Sequence, residues 1–152
     1  MDDFYTSTDA TQITGCTRRQ LQYWREKGVV VPTVNPSGKG RNVYYSPTDL
    51  LALTVMEYLL SIGLSFEVCR EVLETLKASE SWLFQPSVSE GQRSRFMLLL
   101  DLKRRRLVNF DSNLALETIN QGLAVVPFWG DRIHQRLRDN LSSFTPKGDR
   151  IV

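Results

Sequence analysis

Four side chains that offer hydrogen bonds, Arg18, Arg19, Gln22 and Tyr23, fall within two helical turns of one another. An arginine can bond bidentately to O6 and N7 of guanine, and a glutamine can bond in the same way to adenine, which is how a protein reads sequence in the major groove of DNA. Catalysis finds no comparable set. There is no Ser/His/Asp order, no glycine-rich loop followed by Lys-Ser or Lys-Thr, and no acidic pair in a recognisable setting. Cys16 and Cys69 lack CxxC spacing, and His134 has no partner at the spacing of a zinc site, so neither a metal nor a cofactor is expected.

Those four residues need a helix held from one side. Thr17 is a good N-cap and Gly28 a good residue to end a helix, so the segment between them carries both punctuation marks. At the helical period Leu21 and Trp24 fall together, Arg19, Gln22 and Tyr23 fall opposite them, and Arg18 and Arg25 lie along one edge. Upstream, Ser7 is expected to cap a helix carrying Ala10 and Ile13, which Gly15 ends with a left-handed turn. Cap, short helix, glycine turn, second cap and amphipathic second helix is the helix-turn-helix plan. On the helices alone, an αα-hairpin with a solvated basic face fits as well.

The next segment favours the first reading. Val29-Val30-Val31-Pro32, a glycine-rich basic stretch from Asn35 to Arg41, and Asn42-Val43-Tyr44-Tyr45 predict a β-hairpin with Lys39 and Arg41 at its tip, within reach of a phosphate backbone. A helix-turn-helix followed at once by a basic hairpin is a winged helix. Ser46-Pro47-Thr48-Asp49 then opens a third helix through Leu50, Leu53, Met56, Leu59 and Leu60 to Gly63. Ser65 caps a fourth, with Val68, Cys69, Val72, Leu73 and Leu76 on one face.

The run from Tyr5 to Leu76 resembles the MerR-type winged-helix DNA-binding domain. Three motifs carry the likeness: Ile13-Thr14-Gly15-Cys16-Thr17-Arg18-Arg19-Gln20-Leu21-Gln22-Tyr23-Trp24, Tyr45-Ser46-Pro47-Thr48-Asp49-Leu50, and Leu60-Ser61-Ile62-Gly63-Leu64-Ser65-Phe66-Glu67. The resemblance implies DNA contacts from Thr17, Arg18, Arg19, Gln22 and Tyr23, with Tyr23 on the phosphate backbone, and from Lys39, Arg41 and Tyr44 in the wing. It also implies a further contact near the connection from Ile62 to Phe66. Two positions depart from the family pattern. Val43 stands where an arginine is usual, which moves the wing contact to Arg41, and Trp24 stands where tyrosine is frequent.

Composition bounds the rest. The chain has 152 residues and a formal net charge of only +2, so overall basicity does not argue for nucleic acid. Distribution does: from Thr17 to Arg41, Arg18, Arg19, Arg25, Lys27, Lys39 and Arg41 stand against Glu26 alone. A local basic surface on a near-neutral protein suits site-specific binding. The two cysteines are expected to be reduced, small core residues, and no apolar run approaches the ~18 residues of a membrane span, so a cytoplasmic protein without membrane contact is expected.

Beyond the fourth helix the pattern is less regular. Residues 78–95 read as a linker, partly docked through Trp82, Leu83 and Phe84. Phe96 to Asp101 and Leu107 to Phe110 read either as two strands around Lys103-Arg104-Arg105-Arg106 or as one helix with Phe96, Leu100, Lys103 and Leu107 in line. The short apolar block, the contiguous basic block and a lysine on a coiled-coil seam favour strands. The resemblance instead implies a long dimerisation helix here. The basic turn is either a contact to DNA flanks or a solvated loop. Leu114 to Gln121 reads as a helix, Ala124 to Pro127 as a buried strand, and Asp131 to Leu141 as a last helix whose Ile133, Leu137 and Leu141 suit a helix–helix seam. Trp82, Phe84, Phe128 and Trp129 either line a small pocket or fill a core, and the core is the favoured use.

The expected architecture is therefore an N-terminal all-α winged helix-turn-helix, four helices plus a β-hairpin wing, over residues 1–77. A small α+β module of order ββαβα follows over residues 96–144, serving dimerisation or an effector, with a disordered tail over 145–152. The expected function is a non-enzymatic, sequence-specific transcription regulator, a homodimer on two-fold double-stranded DNA. The resemblance further implies distortion of promoter DNA and contact with RNA polymerase. Rivals are an architectural DNA-bending protein of low sequence preference and a winged-helix adaptor for a protein partner. Neither the operator nor any small-molecule effector is legible.

Overall fold

The Thr17 hydroxyl accepts the Gln20 backbone N–H at 3.0 Å, and the Gln20 side-chain oxygen accepts the Thr17 N–H at 2.9 Å. This reciprocal cap satisfies two of the N–H groups that any helix start leaves open, and it fixes where the second helix begins. The computed structural model describes residues 3–36, 42–85, 95–101 and 103–145. Helix α1 is Ser7–Thr14 and α2 is Arg18–Glu26. Gly15 between them takes φ 82°, in the left-handed region that residues with a Cβ avoid. The cap of α1 is Thr6 rather than the expected Ser7. Asp9 stands three residues after Thr6 and completes a capping box with it, at 3.1 Å in both directions.

Helix α2 ends in a Schellman turn, with Gly28 N–H on the Arg25 carbonyl at 3.1 Å and Val29 N–H on the Trp24 carbonyl at 2.8 Å. Val29 and Val30 therefore close the helix and enter the core, and do not start a strand. Among the described residues, the expected hairpin is a single rung in which Val34 and Tyr44 exchange backbone hydrogen bonds of 3.1 and 2.9 Å. A second pair, Tyr5 with Tyr45 at 2.9 and 2.8 Å, pins the N-terminal segment beside it. The tip that carries Lys39 and Arg41 lies outside the described residues.

Helices α3 (Pro47–Ser61) and α4 (Phe66–Ser79) follow as expected, capped by Ser46 and Ser65. Helix α3 is buried continuously from Leu50 to Met56, with the one polar side chain, Thr54, donating to the Leu50 carbonyl, and it forms the axis of the core. A 3-10 turn, Ser81–Phe84, docks Leu83 and Phe84 into that core.

The C-terminal elements are β1 (Arg95–Leu100), β2 (Arg105–Asn109), α5 (Ser112–Asn120), β3 (Ala124–Trp129) and α6 (Gly130–Ser143). The order is ββαβα, and Arg95–Leu100 and Arg105–Asn109 pair as antiparallel strands rather than forming one helix. Strand β1 is central, antiparallel to both neighbours, with Leu98 opposite Leu107 on one side and Val126 on the other. Its residues Phe96 to Leu99 are buried. Strand β3 is not the buried strand expected. It is an edge, with Ala124 and Pro127 exposed and Phe128 buried, and an edge is where a proline without an N–H is tolerated. The expected basic turn is partly strand: Arg105 leaves it to bond Glu71 on α4 at 2.8 and 2.7 Å. The stripe on α6 is satisfied within the chain, because Ile133 and Leu137 pack into the same core as Leu50, Leu53, Trp24, Phe96 and Phe128. Among the described residues, no helix is long and apolar enough to cross a membrane.

Candidate nucleic-acid interface

Leu21 and Trp24 are 3% and 2% exposed and hold α2 to the core, while Thr17, Arg18, Arg19, Gln22 and Tyr23 are exposed. The sidedness read from the sequence is thus realised, and burying one indole and one leucine typically contributes about 1.5 to 3 kcal/mol each. Arg18 and Arg19 form no ion pair with a carboxylate among the described residues. The Arg18 guanidinium donates to the Thr8 hydroxyl, which steadies it along α1. Gln22 donates to Glu26 at 3.2 Å, an exposed contact one turn away that a base edge can replace. Gln20, between them, is committed to the cap.

Tyr23 is 42% exposed, yet its ring meets Phe66 edge-on with centroids 5.2 Å apart. The Lys27 ammonium lies 5.6 Å from the same ring, within the range of a cation–π contact. The exposed face of α2 therefore continues through Tyr23 to the start of α4, beside the connection in which Ile62 is 45% exposed. Sequence reasoning counted Lys27 in the local basic surface and placed Phe66 at the end of the Ile62 to Phe66 connection, but it joined neither to Tyr23. The signals were present, since Lys27 follows Tyr23 at i+4 and Phe66 closes the third motif. Tyr44 is half-buried in its rung with Val34, while Lys39 and Arg41 lie outside the described residues.

The remaining reactive groups lie elsewhere and are inert in kind. Burial pushes the thiols of Cys16 and Cys69 each up to about 11, so both stay protonated at neutral pH. Cys16 Sγ faces the Leu53 carbonyl at 3.6 Å inside the core. Among the described residues, no three His, Cys, Asp or Glu side chains are grouped to hold a metal ion. Phe84 and Phe128 fill core, whereas Trp82 bonds Glu80 at 2.6 Å and Trp129 meets Phe110 edge-on at 4.9 Å.

The segment that carries this exposed cationic helix, anchored by two apolar residues behind a glycine turn, is similar to known proteins. Residues 5–76 match the family model described as MerR HTH family regulatory protein. Proteins named as uncharacterized HTH-type transcriptional regulators, from Mycobacterium bovis and Mycobacterium tuberculosis, are 36% identical over 74 residues. The match covers 48% of this chain and 33% of each relative, so the shared region is about a third of the length of those proteins. With its motifs, its capped second helix and this match in agreement, the N-terminal half of the chain is similar to the MerR family of helix-turn-helix regulatory proteins.

Proposed function

We propose that this protein is a sequence-specific DNA-binding transcription regulator, a binding protein and not an enzyme, that acts as a homodimer on a two-fold operator. The observation that carries the reading is α2, with Leu21 and Trp24 locked inside and Arg18, Arg19, Gln22 and Tyr23 outside. Arg19 and Gln22 read base edges, Tyr23 and Lys27 position the helix on phosphates, and Thr17, Lys39, Arg41 and Tyr44 contribute along the turn and wing. Two such domains related by a dyad read half-sites about one helical turn apart. The C-terminal module, residues 96–144, provides the dimer contact. In support, Leu116 and Ile119 on the outer side of α5 are 61% and 55% exposed, more than large apolar residues gain from facing water. At a promoter the bound dimer bends DNA into register for RNA polymerase, and it works in the cytoplasm.

Selection of bound fragments from random duplex DNA tests the reading. A single two-fold motif should emerge, and Arg19→Ala should abolish the specific mobility shift while circular dichroism stays unchanged. Enrichment of no motif, with affinity set by salt alone, would replace the regulator with a DNA-bending protein. An Arg19→Ala protein that binds the selected site as the wild type does would remove α2 from the interface.

A further inference from the structure

A groove of about 410 Å³ opens where α3, β3 and α6 meet, lined by Tyr58, Pro127, Trp129, Arg132, Ile133 and Arg136. Its size falls within the ~300–1,000 Å³ of small-molecule sites, and none of its residues belongs to the α2 face. The walls are set in place by contacts with one another and with residues behind them. The Tyr58 hydroxyl donates to the Pro127 carbonyl at 2.7 Å, and its ring rests edge-on against buried Phe128 at 6.0 Å. Trp129 is held between the edge contact with Phe110 and the Arg95 guanidinium, 5.1 Å from its ring. Buried Ile133 also lines the groove.

The charges around the groove do not cancel. Arg95 is bonded to Asp131 at 3.0 and 3.3 Å, and Arg136 lies 3.0 Å from Glu57. Arg132 lines the groove and forms no ion pair among the described residues. One guanidinium with no direct ion-pair partner in a largely apolar groove matches a ligand with one negative charge and a flat apolar body. A doubly charged phosphate exceeds that charge, and a neutral ring leaves the guanidinium fork unused.

We propose that this groove is a binding site for a small aromatic monocarboxylate, its ring between Tyr58 and Trp129 and its carboxylate on Arg132. The test uses the full chain without DNA, so its outcome is independent of the regulator reading. Titration with 2-naphthoate, followed by calorimetry and tryptophan fluorescence, should saturate at one per chain. Arg132→Gln, an exposed change that leaves circular dichroism unaltered, should weaken 2-naphthoate about tenfold or more, the scale of a lost charge-assisted pair. The neutral 2-naphthamide should bind wild type about tenfold more weakly and should not distinguish the two proteins. Trp129→Leu should weaken both probes. No saturable 2-naphthoate binding by wild type, or equal binding of acid and amide, or indifference to Arg132→Gln, would each overturn the site.

Discussion

The side-chain amide of Asn140, in the last turns of α6, donates to the backbone carbonyl of Ile13 at 2.7 Å. Ile13 lies in the last turn of α1, where carbonyls have no partner inside their own helix. A residue near the end of the described chain thus completes the first helix of the helix-turn-helix. The C-terminal elements therefore support the turn between α1 and α2 directly, through one helix whose other end lines the groove beside Tyr58.

Replacing Asn140 by alanine should destabilise the fold by about 1 to 2 kcal/mol, the usual loss for one hydrogen bond that leaves a part-buried acceptor unpaired. Urea unfolding of the purified chain measures it. Asn140→Asp, which keeps the shape but has no donor at neutral pH, should lose at least as much. If the aspartate variant matched wild type, the amide would not be donating to Ile13.

Asp49 makes a second such joint. Its Oδ2 accepts the Ser46 N–H at 2.9 Å as part of the α3 cap, and also the Thr33 N–H at 2.8 Å and hydroxyl at 2.7 Å. One carboxylate therefore starts α3 and anchors the chain leaving α2. Asp49→Ala should cost about 1 to 3 kcal/mol, more than a lone cap residue usually does. Pairing it with Thr33→Val in a double-mutant cycle should return a coupling above about 0.5 kcal/mol, whereas additive losses would mean that the two residues act separately.

How far the sequence carried follows from what each signal measures. Caps and periodicity are local, so the helix-turn-helix, α3 and α4 were legible from Thr17, Ser46, Ser65 and the apolar spacing. The Asp49 capping box was legible too, but its bond to Thr33, sixteen residues away, was not. The antiparallel pairing of Arg95–Leu100 with Arg105–Asn109 was readable because Leu98 and Leu107 sit in short, separate apolar blocks. Edge or centre is a matter of neighbours in space, and Val125 and Val126 look alike in either place. The stripe of Ile133 and Leu137 gave a helix that packs on another helix, but nothing local distinguished α3 of the same chain from a second copy. On α2 the two-sided character was plain, while the edge-on contact of Tyr23 with Phe66 joins positions in different elements and had no local signature.

That edge contact separates two roles of one side chain. Tyr23→Phe keeps the ring against Phe66 and should leave stability within about 0.5 kcal/mol of wild type, whereas Tyr23→Ala should lose about 0.5 to 1.5 kcal/mol for the aromatic pair. Both remove the hydroxyl, so both should weaken binding to the selected duplex. Thermal unfolding and mobility shift on the same three proteins provide the comparison. Undiminished binding by Tyr23→Phe would mean that the ring, not the hydroxyl, meets the DNA.

His134 is 5% exposed, with Nε2 2.5 Å from the Leu83 carbonyl oxygen. A carbonyl only accepts, so Nε2 carries the proton and a second proton has to enter at Nδ1. Burial pushes the pKa below its ordinary 6.5, the bond to Leu83 raises it by less, and Arg138 adds in the lowering direction. Unfolding returns the imidazole to its ordinary value. Above pH 6.5 both states are neutral and the contribution is fully present. As pH falls from there toward the depressed folded value, the unfolded chain gains a proton that the folded chain resists, and stability is lost. Lowering pH from about 7.5 to about 5.5 should therefore lower the Tm of wild type more than that of His134→Gln, whose amide can still donate to Leu83. The chain has a single histidine, so no other side chain of ordinary pKa titrates in that window. Parallel falls of the two proteins would mean that the folded state takes up the proton as readily as the unfolded one, and that the contact between α6 and the Ser81–Phe84 turn does not depend on a neutral ring.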